Sequence, residues 1–277
     1  MAIIIFAFMQ NQIKSFQNDK IKFLNQLKEK SRVRKREKRF IIEGKREITL
    51  AIQGGYTITQ LYYCSSIIPL TEISTLITAS QHQIELFEIT SEIYQKLAYR
   101  TTTEGVLAMA ISKDIDINNF ALSSKNSLIL VAESPEKPGN IGALLRTADA
   151  AQLDAVFIAN LKTDIYNPNI IRSSVGCIFT NKIATGSSGD IIDFLKKHNI
   201  NIYGAALQKS IDYHTQDYTN PSAIVVGTEA TGLSDIFLES ATQNIKIPMS
   251  GVIDSMNVSV AAGILIFEAK RQRGFTV

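Results

Sequence analysis

Residues 127–271 alternate short apolar segments with longer amphipathic ones, and this pattern limits the folds open to the chain more than any other feature. Strands are predicted at 127–133, 155–159, 181–185, 201–207, 223–229 and 244–249. Helices are predicted between and after them, at 141–152, 169–179, 190–199, 233–241 and 257–271. Short strands without polar alternation, separated by helices, predict a parallel sheet covered on both faces. Ligands of such sheets bind beyond the carboxyl ends of the strands, so the residues after each strand are the first candidates for a site.

The first part of the chain predicts a smaller α/β unit. Residues 11–50 have mostly helical apolar spacing, with a break near Glu43 and Gly44. Strands are predicted at 58–64, 83–89 and 105–111, and a short helix is predicted at 91–99. We therefore predict a domain over 11–113, a polar linker over 114–126 and a second domain over 127–277.

Composition narrows the class of protein. An apolar share of 45% is enough for a buried core. The histidines are scattered without metal-ligand spacing, so we expect no metal, and Cys64 and Cys177 predict buried thiols rather than a disulfide scaffold. The apolar start, residues 1–10, is too short for a membrane span and lacks the basic flank of a signal peptide. We therefore expect a soluble cytoplasmic protein.

Positive charge is concentrated near the N-terminus, although the net charge is only +3. Residues 28–46 hold ten Lys and Arg against three Glu. One interpretation is a solvated helix face. The other is a phosphate-binding surface, since clustered cations gain from releasing the counterions of a nucleic acid. The run alone does not choose between them.

Polar residues follow the predicted strand 127–133. Asn140 lies between two glycines, and Arg146 follows six residues later, in a pattern that is neither a dinucleotide-binding glycine motif nor a P-loop. Asn140 is interpreted either as a helix cap or as a ligand contact. Arg146 is interpreted either as a structural salt-bridge residue or as a cation directed at a phosphate or a reacting oxygen.

The last two predicted strands also lead into polar residues. Strand 223–229 contains Gly227 and Glu229 at its end, and the final helix begins near Ser255 and Asn257. Because one of Ser255 and Asn257 suffices as the helix cap, the pair leaves polar capacity for a ligand.

Taken together, these segments resemble the three motifs of the SpoU class of ribose 2′-O-methyltransferases, in order and in spacing. The matching segments are NIGALLRTADA (140–150), VVGTEATGL (225–233) and IPMSGVIDSMNVSVAAGI (247–264). More loosely, SRVRKREKRFIIEGKREI (31–48) resembles the opening of the family's accessory substrate-binding domain. The resemblance implies an α/β parallel sheet with a C-terminal trefoil knot, the SPOUT fold. It also implies a small N-terminal α/β ribosomal-protein-like RNA-binding domain.

The resemblance also assigns site residues. It implies catalytic roles for Asn140, Arg146, Glu229, Ser255 and Asn257. It implies binding of S-adenosylmethionine by Gly227, Ile247 and Met256, where Met256 replaces the family's usual Leu without loss of volume. The implied RNA contacts are Arg32, Arg34, Lys35, Arg36, Lys38, Arg39 and Arg172.

The implied activity is methyl transfer from S-adenosylmethionine to a ribose 2′-hydroxyl of structured RNA, by a homodimer packed through the knotted domain and without membrane or metal. Arg146 would either help to deprotonate the hydroxyl or stabilise the developing alkoxide. The accessory domain favours large-subunit ribosomal RNA over tRNA. The sequence does not identify the nucleotide, nor whether the role is ribosome maturation or antibiotic resistance. The alternatives are a tRNA ribose 2′-O-methyltransferase and a non-catalytic RNA-binding assembly factor.

Overall fold

The structure is a computed structural model that describes residues 12–99, 104–252 and 255–275. The predicted features of residues 1–10 therefore lie outside the described residues. The chain forms two compact units. The first contains the described residues up to Lys113 together with Tyr166–Thr180, and the second contains Asp114–Ile165 and the described residues from Asn181 onward. A short segment from the second half of the sequence thus packs with the first unit.

Strands and helices are numbered along the described chain. The strands are β1 (Gln12–Ile13), β2 (Arg39–Glu43), β3 (Ile58–Tyr63), β4 (Glu85–Ile89), β5 (Val106–Ile111), β6 (Leu128–Glu133), β7 (Ala155–Ala159), β8 (Ile183–Gly186), β9 (Asn201–Ala205), β10 (Ser210–Asp212), β11 (Ser222–Val226) and β12 (Gln243–Lys246). The helices are α1 (Asp19–Glu29), α2 (Ser31–Glu37), α3 (Lys45–Gln53), α4 (Leu70–Ala79), α5 (Ser91–Leu97), α6 (Pro138–Ala150), α7 (Pro168–Ser173), α8 (Cys177–Thr180), α9 (Ser188–Lys197), α10 (Asp235–Ser240) and α11 (Val258–Gln272).

The first unit is built on a mixed five-stranded sheet with the order β1-β4-β3-β5-β2. Strand β2 occupies residues for which the sequence predicts helix, so that prediction is wrong there. Phe40, Ile41 and Ile42 are buried, and β2 pairs with β5 over its whole length. The favourable packing of these side chains across the ladder outweighs the helical spacing of their neighbours.

Residues 166–180 are held in the first unit by an aromatic cluster. Phe40 stacks on Tyr166 with ring centroids 4.2 Å apart, and Tyr56 meets Phe179 edge-on at 5.1 Å. The backbone of Gly54 lies so close that a Cβ there would stand 2.1 Å from the carbonyl oxygen of Phe179. This packing brings Arg172 into the same unit as the basic residues of α2.

The second unit contains a seven-stranded sheet with the order β10-β12-β9-β11-β6-β7-β8, and every pairing in it is parallel. This confirms the predicted parallel α/β sheet. Buried Ile129, Val131, Phe157 and Val225 belong to its core. Because all strands run the same way, their carboxyl ends share one edge of the sheet. None of the helices among the described residues has the length and apolar character of a membrane span.

The C-terminal helix is fixed to this sheet by Arg273. Its guanidinium donates to the carbonyl oxygens of Tyr218 at 2.8 Å, Asn126 at 2.9 Å and Asn220 at 2.5 Å. Burial lowers the pKa of Arg273. The contacts join the end of α11 to the segments that precede β6 and β11. They therefore help to position the beginning of α11 at the other edge of the sheet, where the carboxyl ends of the strands lie.

Candidate active site

Three segments that are distant in sequence meet beyond the carboxyl ends of the strands in the second unit. Asn140 lies in the first turn of α6, Glu229 follows β11, and Asn257 precedes α11. The Glu229 Oε1 atom accepts hydrogen bonds from Asn140 Nδ2 at 2.9 Å and from Asn257 Nδ2 at 3.1 Å. Asn257 Nδ2 also donates to Asn140 Oδ1 at 3.2 Å. The structure thus joins one polar residue from each of the three predicted motifs in one cluster.

Asn257 has two functions in this cluster. Its Oδ1 atom accepts from the backbone N–H of Ser259 at 3.0 Å and so caps α11, while its amide nitrogen reaches Glu229. Asn140 is not the cap of α6, because the N-cap position belongs to Lys137. The amide side chain of Asn140 is therefore engaged with other segments, and the cap interpretation of Asn140 is wrong.

Lys137 is a member of this cluster that the sequence pattern does not single out. Its Nζ atom pairs with Glu229 Oε2 at 2.5 Å. The hydrogen bond from Lys137, followed by the one from Asn140, lowers the pKa of Glu229 below the usual glutamate range. In return, Glu229 raises the pKa of Lys137. Glu229 is thereby held as a carboxylate that accepts from three donors, which suits it to a structural role in the site better than to that of a proton acceptor.

A cleft of about 340 Å³ adjoins the cluster. It lies between the segments that follow β9, β11 and β12 and the first turns of α11. Five of the predicted site residues line it, namely Gly227, Glu229, Ile247, Ser255 and Met256. The volume falls within the range of small-molecule sites, and the position at the carboxyl edge is where open α/β sheets bind their ligands.

Gly227 allows the loop after β11 to close on itself. A Cβ at this position would stand 2.2 Å from both the carbonyl carbon and oxygen of Gly232, too close for any side chain. Gly232 itself has φ +69°, the left-handed region that favours glycine. Thr228 and Gly232 exchange backbone hydrogen bonds at 3.0 and 3.1 Å. The two glycines therefore set the shape of the cleft wall.

Glu133, at the end of β6, anchors the residue Ser234 that follows this loop. It is only 4% exposed, and its carboxylate accepts from the N–H of Ser234 at 2.8 Å and from the hydroxyls of Ser234 and Ser188, both at 2.6 Å. A buried carboxylate is tolerated when such donors satisfy it. An acidic residue closing an apolar strand is the sequence signal that could have pointed to this anchor.

Arg146 lies outside the cluster. It is on the exposed side of α6 and is absent from the lining of the cleft. Among the residues that the structure describes, it forms no ion pair. The structural salt bridge considered for Arg146 is therefore not present within the described protomer.

The predicted RNA contacts lie in the first unit. Exposed positions on or beside α2 are Arg32, Lys35, Arg36, Lys38 and Arg39, and Arg172 is exposed on α7. Arg34 differs, since it is only 4% exposed and its Nη1 donates to the carbonyls of Leu27 at 2.6 Å and Lys28 at 3.1 Å. Arg34 thus closes the end of α1 and is not available to a phosphate.

Comparison with known proteins identifies the class. Residues 127–267 match the model of the SpoU rRNA Methylase family, and residues 18–108 match the model of the MRM3-like substrate binding domain. The chain is 27% identical over 260 residues to the 23S rRNA (guanosine(2553)-2′-O)-methyltransferase RlmP of Bacillus subtilis (strain 168), covering 94% of this chain and 99% of that protein.

Solved structures agree. A crystal structure of an RNA 2′-O ribose methyltransferase matches with a TM-score of 0.80 and 36% identity, over 95% of this chain and 99% of the other. The SpoU methyltransferase AviRb from Streptomyces viridochromogenes, in complex with the cofactor AdoMet, matches with a TM-score of 0.83 and 25% identity, over 93% and 98%.

The chain belongs to the SpoU rRNA methylase family. It is an RNA 2′-O-methyltransferase with S-adenosylmethionine as methyl donor, and the predictions of family, enzyme class and cofactor are confirmed. The cleft fits this donor chemically. Its lining combines the apolar side chains of Leu233, Ile247 and Met256 with the hydroxyl-bearing residues Thr228 and Ser255, a mixture that suits a molecule with both a heteroaromatic ring and polar groups.

Proposed function

We propose that this protein methylates a ribose 2′-hydroxyl of large-subunit ribosomal RNA at the cleft described above. The observation that carries the proposal is the meeting of Asn140 and Asn257 on Glu229, which itself lines a cleft of suitable size. Ribosomal RNA is favoured over tRNA because the relative from Bacillus subtilis is named a 23S rRNA methyltransferase and aligns over nearly the whole chain.

Gly227, Ile247 and Met256 hold the cofactor in this proposal, Gly227 by the close loop turn and the other two by apolar contact. Bound S-adenosylmethionine supplies an electrophilic methyl group. The chain's contribution is then positioning, which converts the encounter of hydroxyl and methyl group into a unimolecular step. Ser255, exposed on the cleft wall, is placed to orient the incoming ribose.

Arg146 acts as a fixed positive charge on the reacting oxygen. Guanidinium groups remain protonated in proteins, so electrostatic stabilisation of a developing alkoxide is a better role for an arginine than proton removal. The Arg146→Ala variant is expected to retain S-adenosylmethionine binding and to lose methyl transfer by about a hundredfold or more. Unchanged turnover would remove Arg146 from the reaction.

Since Arg146 is exposed on its own protomer, we propose that it reaches the cleft of a second protomer in a homodimer. The neighbouring helix α11 supports an interface here, because Val260 and Phe267 are 54% and 41% exposed on one face of it. Thr147, next to Arg146, lies 3.9 Å from the Cβ position of Gly263 on the same face. The proposal includes a C-terminal trefoil knot in the second unit.

A mixed-dimer experiment tests this arrangement. Arg146→Ala has an intact cofactor cleft, whereas Gly227→Ala has an intact arginine and a distorted cleft that is expected to bind S-adenosylmethionine weakly. At a low S-adenosylmethionine concentration both variants alone are impaired, and if Arg146 acts across the interface, co-refolding them restores activity in about one site per mixed dimer. If Arg146 acts within its own chain, the mixture is no more active than the two variants alone. Analytical ultracentrifugation of the wild type checks the dimer independently.

The first unit binds the RNA in this proposal. The exposed cations on and beside α2, with Arg172, form a positive surface, and the matched family description for residues 18–108 is a substrate-binding domain. We propose that this unit is the N-terminal ribosomal-protein-like RNA-binding domain, and that the protein is cytoplasmic, where ribosomal RNA is found.

One assay separates the candidate functions. The protein is incubated with labelled S-adenosylmethionine and either ribosomal RNA or total tRNA, and nuclease digestion with mass spectrometry locates any 2′-O-methyl nucleoside. Label in 23S-type RNA supports the proposal. Label only in tRNA would identify tRNA as the substrate instead of ribosomal RNA. RNA binding without any label would indicate a non-catalytic assembly factor.

A further inference from the structure

Tyr99, in the first unit, is an exposed aromatic residue flanked by cations. Its side chain is 40% exposed, the Arg172 guanidinium carbon lies 5.9 Å from its ring centroid, and Lys28 Nζ lies 5.6 Å from the same centroid. These contacts join residues from α1, α7 and the segment after α5. Neither the sequence motifs nor the family descriptions draw attention to this position.

Hydrogen bonds fix the surroundings of the ring. The backbone N–H of Tyr99 donates to Glu43 Oε2 at 2.7 Å. Lys28 Nζ donates to the carbonyls of Lys96 at 3.0 Å and Ala98 at 3.1 Å, and so holds the end of α5. The ring is therefore presented by a constrained backbone, which lowers the entropy cost of binding a partner on it.

The recess beside Tyr99 is too small to be a ligand pocket. Its volume is about 30 Å³, against the several hundred Å³ of small-molecule sites, and apolar residues such as Leu97, Leu107 and Ile171 line it. A ligand must therefore lie on the exposed ring rather than enter the recess. A flat aromatic group is the shape that such a surface accepts.

The local charge indicates an anionic ligand. Lys28 and Arg172 outnumber the carboxylate of Glu43 around the ring. The same place adjoins the basic helix α2, because Arg34 from α2 donates to the Lys28 carbonyl at 3.1 Å. An aromatic face with cations beside it is the arrangement that binds unpaired nucleotides, with the base stacked and the phosphates paired to the cations.

We propose that Tyr99 and Arg172 form a stacking site for one unpaired nucleobase of the substrate RNA, with Lys28 holding the ring in place. The inference rests on the proposed function, since it concerns the RNA that the first unit binds. It adds a base contact to a surface that otherwise consists of phosphate contacts. Such a contact selects RNA with a splayed or looped base over a continuous duplex.

The test measures binding of fragments of large-subunit ribosomal RNA, by fluorescence anisotropy at several salt concentrations. Tyr99→Ala is expected to weaken the Kd by about fivefold to a hundredfold, while Tyr99→Phe stays within about twofold. The slope of log K against log salt stays unchanged in Tyr99→Ala, because no phosphate contact is lost. Lys35→Ala, by contrast, lowers that slope by about 1.

Phe16→Ala is the matched control. Phe16 is 37% exposed and lies under Lys96 Nζ at 4.4 Å, but no arginine among the described residues forms a cation–π contact with it. It is expected to bind RNA as the wild type does. Equal weakening in Phe16→Ala and Tyr99→Ala overturns the site, as does wild-type affinity in Tyr99→Ala or an equal loss in Tyr99→Phe.

The same experiment distinguishes the two levels of inference. S-adenosylmethionine binding, measured by calorimetry, is expected to be the same in the wild type and in all these variants. A wild type that binds the RNA without methylating it overturns the proposed function alone, and the stacking site is still decided by the Tyr99 variants. A wild type that binds no RNA overturns both.

Discussion

The side-chain Nδ2 of Asn257 donates to Glu229 Oε1 at 3.1 Å, while the side-chain Oδ1 of Asn257 accepts from the backbone N–H of Ser259 at 3.0 Å and so caps α11. One side chain thus ties the start of the C-terminal helix to the loop after β11. The two ends of the amide do different work, one for the stability of the helix and one for the geometry of the active site.

Substitutions at Asn257 separate these two contributions. Asn257→Ser is expected to keep the helix cap and to lose the amide donor, so the thermal midpoint stays near that of the wild type while methyl transfer falls. Asn257→Ala loses both, with a further destabilisation of about 1 kcal/mol. Thermal denaturation and a methyl-transfer assay on both variants check this. Full activity in Asn257→Ser would show that the bond to Glu229 is dispensable.

Lys137 is expected to control the ionisation of Glu229. The pKa of Glu229 is lowered, chiefly by the hydrogen bond from Lys137. A lowered carboxyl pKa contributes stability above the ordinary pKa, and that contribution is lost as the pH falls through the folded-state value, in the acidic range below about 5. Lys137→Met should therefore raise the pKa of Glu229 and move this loss to higher pH.

Carboxyl carbon NMR of Glu229 as a function of pH measures this directly. Lys162→Met is the matched control, because Lys162 Nζ pairs with Glu136 Oε1 at 2.7 Å in a similarly exposed setting and lowers the pKa of Glu136. It should shift the titration of Glu136 and leave that of Glu229 nearly in place. An unshifted Glu229 in Lys137→Met contradicts the assignment.

Gly227→Ala should damage the cofactor cleft. The added methyl group would stand 2.2 Å from the Gly232 carbonyl, so the loop must move, at a cost of about 1–3 kcal/mol. We expect calorimetry to show weaker S-adenosylmethionine binding by about tenfold or more. Gly139→Ala serves as the control, since its Cβ position has no atom within 4 Å and its φ is not in the left-handed region. Equal binding by the two variants would exclude a role for the loop turn.

The parallel sheet follows directly from the sequence, because each strand of its core is buried on both faces and so leaves an uninterrupted apolar run. Strands β10 and β2 and helix α4 were not predicted from the sequence, and each omission has a physical cause. Strand β10 has three residues at the sheet edge and little apolar content, and α4 is rich in β-branched residues that weaken a helical signal. Strand β2 depends on pairing with β5, a partner more than sixty residues away that periodicity does not reveal.

The polar cluster was predictable in part. Asn140, Glu229 and Asn257 follow strands or precede a helix, and parallel strands bring such positions to one edge. Lys137 and Glu133 escaped because their importance comes from the partners that they meet across 92 and 101 residues of sequence. Arg34 shows the converse, since nothing in a run of basic residues distinguishes the one that is buried.

Alanine substitutions of Arg34 and Lys35 are expected to affect different properties, the first the stability of the fold and the second the binding of RNA. Arg34→Ala removes the buried donor to the Leu27 and Lys28 carbonyls, so we expect a loss of about 1–3 kcal/mol in the free energy of unfolding. Lys35→Ala should leave stability within about 0.5 kcal/mol and weaken RNA binding. Urea denaturation and salt-dependent RNA binding check the pair. Wild-type stability in Arg34→Ala would return Arg34 to the RNA surface.

Arg273 is expected to be the more important of two neighbouring arginines in α11 and its end. Its guanidinium donates to the carbonyls of Asn126, Tyr218 and Asn220, an arrangement that the single ammonium of lysine cannot reproduce. Arg273→Lys should therefore lower the free energy of unfolding by about 1.5–3 kcal/mol in urea. Arg271→Lys is the control, because Arg271 is exposed and pairs with Glu268 one turn away, a type of contact that contributes about 0.5 kcal/mol or less. Similar midpoints for the two variants would show that the C-terminal helix is held by its apolar face alone, and that the start of α11, with Asn257, needs no anchor at its far end.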